Sequence, residues 1–281
     1  MVHVTRRFDF SAAHRYWRDD WSEAENERIF GKCTSRYGHG HNYTLEVTVQ
    51  GQADPVTGMV MNVADLKRIV GGVLEQFDHR HLNKDTPFFK TQQPTTENIV
   101  RVLWRLLAPL MPPEAALARL RLYEMADLWA DYDGADEAAF ARSYTFSAAH
   151  RLHSGQLSDA QNQELYGKCN NPNGHGHNYS LEVTIRGPVD AATGMVIDLV
   201  AMDRTVHTVI DELDHQHIDQ QIAAFAEQPS TAENIVVYLW NELAPRFDGR
   251  LTHLKLWETR NNVFEYGGGH DDDNQRPQRH N

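Results

Sequence analysis

The sequence predicts an α+β protein built twice over: two tandem domains, each a four-stranded antiparallel sheet with two helices on one face. Three observations predict it. A shift of 136 residues lays Phe10-Ser11-Ala12-Ala13-His14 on Phe146-Ser147-Ala148-Ala149-His150, and Trp104 on Trp240. Runs of period two, Tyr43, Leu45, Val47, Val49 and Tyr179, Leu181, Val183, Ile185, read as strands with one buried face. Behind each run stand two apolar stripes at helical spacing.

Taken in order, each copy opens with a strand ending in Ser-Ala-Ala-His, followed by a long loop and the second strand. Leu66, Ile69, Val70, Val73, Leu74 and Phe77 give the first helix, matched by Leu199, Met202, Val206, Val209, Ile210 and Leu213. The second helix starts after Pro94 or Pro229, with Ser230 and Glu233 reading as a capping box. Its stripe runs through Ile99, Val100, Leu103 and Leu107, or Ile235, Val236, Leu239 and Leu243. Leu254 and Leu256 mark a strand ending at Trp257-Glu258. A hairpin through Asn261-Asn262, residues suited to φ > 0, then returns from Val263 to Tyr266. After Trp104 the offset falls to 134, which places a shorter loop in the second copy. The period is too long for a solenoid. The domains are expected at 1–134 and 141–266, joined through the acidic, small-residue stretch Asp133-Gly134-Ala135-Asp136-Glu137-Ala138-Ala139. Residues 267–281 lack apolar periodicity and are expected to be disordered, with His270 and His280 idle.

Composition bounds the function. Hydrophobic residues make up 41% and charged residues 23% of 281, an ordinary globular balance. A net charge of −12 argues against a nucleic-acid surface, while an anionic small molecule needs only local positive charge. No apolar run approaches a membrane span, and the N-terminus has no signal-like core. Cys33 and Cys169 occupy the same place in each repeat, so two free thiols in a reducing, cytoplasmic setting are expected rather than a disulfide.

Ten of the sixteen histidines pair under the shift. His39 and His41, like His175 and His177, share one face of a strand, a short-range metal clamp. The alternative is two solvated histidines in a Gly/Asn turn. His14 and His150, at the end of the neighbouring strand, supply a third imidazole, and three neutral imidazoles suit zinc best. Cys33 and Cys169 read either as a fourth, structural ligand or as a thiolate activated by Lys32 or Lys168 and the metal. Asp78-His79 and Asp214-His215 form candidate proton shuttles; the plain alternative is a histidine at a helix end. His81 and His217 are given supporting roles. Glu124 and Glu258 are candidates to hold a guanidine-like ring edge.

Together, Phe-Ser-Ala-Ala-His, Tyr-Gly-Lys-Cys-Asn-Asn-Pro-Asn-Gly-His-Gly-His-Asn-Tyr, Gly-Met-Val-Ile-Asp, Leu-Asp-His, Thr-Ala-Glu-Asn-Ile and Trp-Glu-Thr-Arg-Asn-Asn resemble the 6-pyruvoyl-tetrahydropterin synthase family. The first copy is similar through Gly-Met-Val-Met-Asn-Val-Ala-Asp-Leu-Lys and Phe-Asp-His-Arg-His-Leu-Asn. The resemblance implies tandem tunnelling-fold (T-fold) domains and removal of triphosphate from 7,8-dihydroneopterin triphosphate. It implies two zinc ions per chain, held by His14, His39, His41 and by His150, His175, His177. Cys33 and Cys169 would move protons, Asp78-His79 and Asp214-His215 would complete the relay, and Glu124 and Glu258 would hold the pterin. Glu97 and Glu233 are further ring-contact candidates. A homo-oligomer follows from the same resemblance, most simply three two-domain chains. The rival is the related 6-carboxy-tetrahydropterin synthase of queuosine biosynthesis, whose members usually place three residues between Cys and the first His where this chain places five. A non-catalytic zinc- or pterin-binding module is the reading from another class; intact Cys, Asp-His and Glu in both copies weigh against it.

Overall fold

The alternating and helical stripes become strands and helices in a computed structural model that describes residues 1–269. From residue 270 onward the expected tail, with His270 and His280, lies outside the described residues. The first copy comprises β1 (Val2–His14), α1 (Glu23–Phe30), β2 (His39–Gly51), α2 (Val63–Leu74), β3 (Arg80–His81), α3 (Leu82–Asp85), α4 (Thr96–Leu107), β4 (Ala115–Met125) and β5 (Leu128–Tyr132). The second comprises β6 (Glu137–His150), α5 (Asp159–Tyr166), β7 (His175–Pro188), α6 (Leu199–Ile210), α7 (Ile218–Gln221), α8 (Ala232–Leu243), β8 (Leu251–Thr259) and β9 (Asn262–Tyr266). Each copy is thus a four-stranded antiparallel sheet carrying two main helices, in the orders β1-β2-β4-β5 and β6-β7-β8-β9; the two-residue β3 adds a parallel edge to β1.

Contacts divide the chain differently from the repeat. One compact unit holds Met1–Ser143 and Ile185–Arg204; the other holds Tyr144–Thr184 and the described residues from Thr205 onward. Residues 185–204, second-copy by sequence, therefore pack with the first unit. In that unit β1 pairs β2 in register, placing His14 opposite His39 and Ala12 opposite His41. One irregularity, between Thr48 and Val49, interrupts the β2–β4 ladder. Beneath the sheet, α2 buries Leu66, Val70, Val73 and Leu74, and α4 buries Ile99, Val100, Leu103 and Leu107. They meet Tyr43, Leu45, Val47, Leu120 and Leu122 from the strands. Each such side chain contributes about 1.5–3 kcal/mol relative to exposure, so the apolar stripes decide which sheet face closes.

Local chemistry sets the ends. Asn62 caps α2 and Thr95 caps α4 through side-chain oxygens accepting from Ala64 and Asn98 amides. In the second copy the cap is Thr231, accepting from Asn234 N, and not the Ser230–Glu233 box. Ser230 is drawn away: its hydroxyl donates to Asp219. The final hairpin also differs from expectation, since neither Asn261 nor Asn262 has positive φ. Thr259 Oγ instead accepts from the amides of both, each at 3.2 Å, so the threonine builds the turn. The long loops each hold an unforeseen eight-residue helix, α1 and α5, started by Ser22 and Ser158. Finally, Gly134 (φ 87°) lies under Trp104 and Gly268 (φ 80°) under Trp240. A Cβ on either would fall 2.6 Å from the indole, so only glycine fits beneath the ring.

Candidate active site

The register just described delivers three imidazoles to one face of each sheet. In the first copy His14 is fully buried, and its Nδ1 bonds the carbonyl of Pro94 at 3.1 Å. In the second, His150 Nδ1 bonds Ser230 O at 2.8 Å. Nδ1 is thereby the protonated nitrogen in both, and Nε2 is left as a ligand facing its neighbours. His14, His39 and His41, and likewise His150, His175 and His177, bring one ligand nitrogen each to within 4.8 Å of one another. Among the described residues neither group includes a cysteine. Burial pushes His14 down to about 3 and His39 down to about 4, and lowers His175 and His177. Neutral imidazoles with lone pairs converging on one point are what a metal ion requires. His41 Nε2 and His177 Nε2 are buried with no hydrogen-bond partner, which an ion would supply. The residues present fit a metal in both copies.

A carboxylate stands beside each triad. Glu124 Oε1 lies 3.4 Å from His41 Nε2. Glu258 Oε1 lies 3.7 Å from His150 Nε2 and 3.8 Å from His177 Nε2. Glu124 is 7% exposed and also accepts from the Thr96 hydroxyl at 2.7 Å and the Tyr16 hydroxyl at 3.3 Å. Glu258 has Asn262 Nδ2 at 3.4 Å.

The cysteines sit on short 3₁₀ turns, Gly31–Thr34 and Gly167–Asn170, both half-buried. Burial, and after it the charge of Glu124, pushes the Cys33 thiol up to about 12. Activation by Lys32 is not seen there; the lysine is exposed, where solvent screens it.

The Asp-His pairs are built by a clasp on the first strand. Ser11 N donates to Asp78 Oδ1 (2.8 Å), His79 N donates to Ser11 O (2.6 Å), and Asp78 Oδ2 meets His79 Nδ1 at 2.9 Å. Ser147, Asp214 and His215 repeat this at 2.7, 2.6 and 2.9 Å. The Ser11 and Ser147 amides hold Asp78 and Asp214 below the usual carboxylate range. His79 and His215 both adopt positive φ, 56° and 58°, a conformation that persists only where the surroundings impose it. Each dyad borders an open cavity, about 420 Å³ beside Ser11, Gly40 and Asn42 and about 570 Å³ beside Ser147, Gly176 and Asn178. These are the strand residues that alternate with the triad, so the dyads are not brought to the thiol or carboxylate of their own copy. The ring of His81 abuts Gly38, and that of His217 abuts Gly174, at the turn before His-Gly-His; this fits a supporting role.

Glu97 and Glu233 differ. Glu97 is 2% exposed, accepts from Val196 N at 2.9 Å, and is pushed up to about 7 by burial. Glu233 is exposed. Sequence reasoning missed Tyr16 and Thr96, because neither repeats: Leu152 and Ala232 take their places.

Fold and pocket together define a T-fold domain with a three-histidine metal pocket and a facing carboxylate, present twice. The sequence pattern of 6-pyruvoyl tetrahydropterin synthase matches residues 3–135 and again 140–269. The chain is 47% identical over 134 residues to a 6-pyruvoyl tetrahydrobiopterin synthase of Drosophila melanogaster, covering 47% of this chain and 80% of that protein. It is 45% identical over 134 residues to the human protein of that name, covering 47% of this chain and 92% of the other. A solved Caenorhabditis elegans 6-pyruvoyl tetrahydropterin synthase is 42% identical with a TM-score of 0.46, covering 47% of this chain and 96% of that one. The chain belongs to the 6-pyruvoyl tetrahydropterin synthase family and carries its domain twice. Among the described residues no helix is long and apolar enough to cross a membrane.

Proposed function

We propose that this chain is a carbon–oxygen lyase that eliminates triphosphate from 7,8-dihydroneopterin triphosphate and yields 6-pyruvoyl-tetrahydropterin. The observation that carries the reading is the meeting of Glu258 with the His150, His175 and His177 imidazoles in one half-buried pocket. A carboxylate accepts the paired N–H donors of a pterin's guanidine-like edge, and so fixes the ring beside the imidazoles. His150, His175 and His177 would hold zinc, as would His14, His39 and His41, two ions per chain. The ion supplies Lewis acidity toward side-chain oxygens of the substrate when bound. Cys169 takes the carbon-bound proton, and the released electron pair expels the triphosphate.

The return of a proton falls to an Asp-His dyad. Because each dyad lies among the strand residues that alternate with its own triad, it acts on a site of a neighbouring chain. A homo-oligomer, most simply of three chains, meets that need. Five residues between Cys and His in both copies favour the pyruvoyl over the carboxy product. Incubating the zinc-loaded protein with 7,8-dihydroneopterin triphosphate tests the reading: triphosphate release is expected, with a 6-pyruvoyl pterin by mass. A 6-carboxy product would transfer the chain to the rival activity, and no release of triphosphate would overturn both.

A further inference from the structure

The two copies place residues 16 and 152 identically on the backbone. Tyr16 N donates to Cys33 O at 3.0 Å, and Leu152 N donates to Cys169 O at 2.9 Å. What differs is the side chain. The Tyr16 ring lies 4.8 Å from the His14 ring and 5.8 Å from that of Phe30, both edge-on. It is buried, clusters with Phe30 and Met195, and touches Cys33 through that cluster. Its hydroxyl reaches Glu124 Oε2, the oxygen that Thr96 also bonds, while His41 stands at Oε1. The phenol thus offers Glu124 what a ligand ring would offer: a flat apolar body against the imidazoles and a donor to the carboxylate. In the second copy Leu152 is shorter and has no donor, and Ala232 replaces Thr96.

We propose that the first-copy site is filled by its own Tyr16, which stands on Glu124 in the place of a pterin ring, so that each chain binds one pterin, at the second copy. This rests on the reading of Glu124 and Glu258 as ring anchors. Met195, from residues 185–204, packs against Tyr16 and holds the phenol in that seat. The first three-histidine cluster remains a metal site, since Tyr16 bonds none of its nitrogens.

Equilibrium dialysis of the zinc-loaded full chain against neopterin decides the matter, with metal content followed in parallel. The wild type is expected to hold about one neopterin per chain and two metal ions. Glu258→Ala is expected to hold none. Tyr16→Leu is expected to hold two, and the Tyr16→Leu/Glu258→Ala pair one, each with two metal ions. Two neopterins on the wild type, or one retained by Glu258→Ala, would overturn the proposal, and those two measurements need no change at Tyr16. If the wild type binds no neopterin, the failure lies with the pterin reading itself and takes this inference with it.

Discussion

In the first copy the carboxylate beside the imidazoles is enclosed by Tyr16, Thr96 and His41; in the second it faces Leu152 and Ala232, with Asn262 at 3.4 Å. The triads, the cysteine turns and the Ser11 and Ser147 clasps are the same in both. What strand register and backbone bonds position has therefore stayed equal. What contacts a ligand through side chains alone has diverged. The comparison teaches that a complete set of metal and proton-transfer residues does not establish an equal capacity to bind.

The sharpest way to break the comparison is through the thiols. Cys169→Ala should lower kcat/KM by about a thousandfold, in the range of lost proton transfer, while Cys33→Ala leaves it within threefold. Zinc content and Tm should hold in both variants; loss of metal from either would restore the cysteine as a ligand. Next come the carboxylates. Removing paired charged hydrogen bonds costs about 3 kcal/mol, roughly a hundredfold, so Glu258→Ala should lose that much kcat/KM and Glu124→Ala almost none. Equal losses would show that both copies turn over.

Much of this could be read from the chain before any coordinates. The helices were legible because Leu66, Val70, Val73 and Ile99, Leu103, Leu107 recur at a period only one geometry satisfies. The triads were legible because His-Gly-His fixes a face. Helix α1 was not, since Glu23–Phe30 offers only Ile29 and Phe30 as apolar residues, and a stripe of two defines no period. The cap at Thr231 was lost to Ser230, one residue away, because competition from Asp219 is a tertiary fact. The facing of Asp78-His79 was hidden because adjacency in sequence does not say which side of a sheet a loop will border. Tyr16 and Thr96 escaped for a different reason: comparing copies finds what they share, and the decisive residues are those they do not.

A smaller effect separates the second-helix glutamates. The folded protein favours the neutral form of Glu97, whose titration moves from 4.5 up to about 7. Its contribution is unchanged below about pH 4.5, declines as pH rises toward 7, and levels above that. Glu97→Gln keeps an acceptor for Val196 N but cannot ionise. It should raise stability at about pH 8 by on the order of 2 kcal/mol and leave it unchanged near pH 4. Glu233→Gln should change neither, and a matching response in urea melts of the two would remove the distinction. The smallest effect belongs to the hairpin: Thr259→Ala removes the acceptor for two amides and should cost about 1 kcal/mol in the same melts. No loss there would return the turn to its asparagines.

The glycines beneath Trp104 and Trp240 bear on how this chain can be taken apart. Asp133-Gly134 has the composition of a slack tether, yet its backbone is pressed under an indole, and Gly268 is pressed likewise in the second copy. The joint is the last latch of the first domain. A protease seeking extended, accessible chain should find the stretch closed to it until the tryptophan lifts. A single-domain fragment ending at Tyr132 would bare the indole face, whereas one carried past Gly134 would keep its seal.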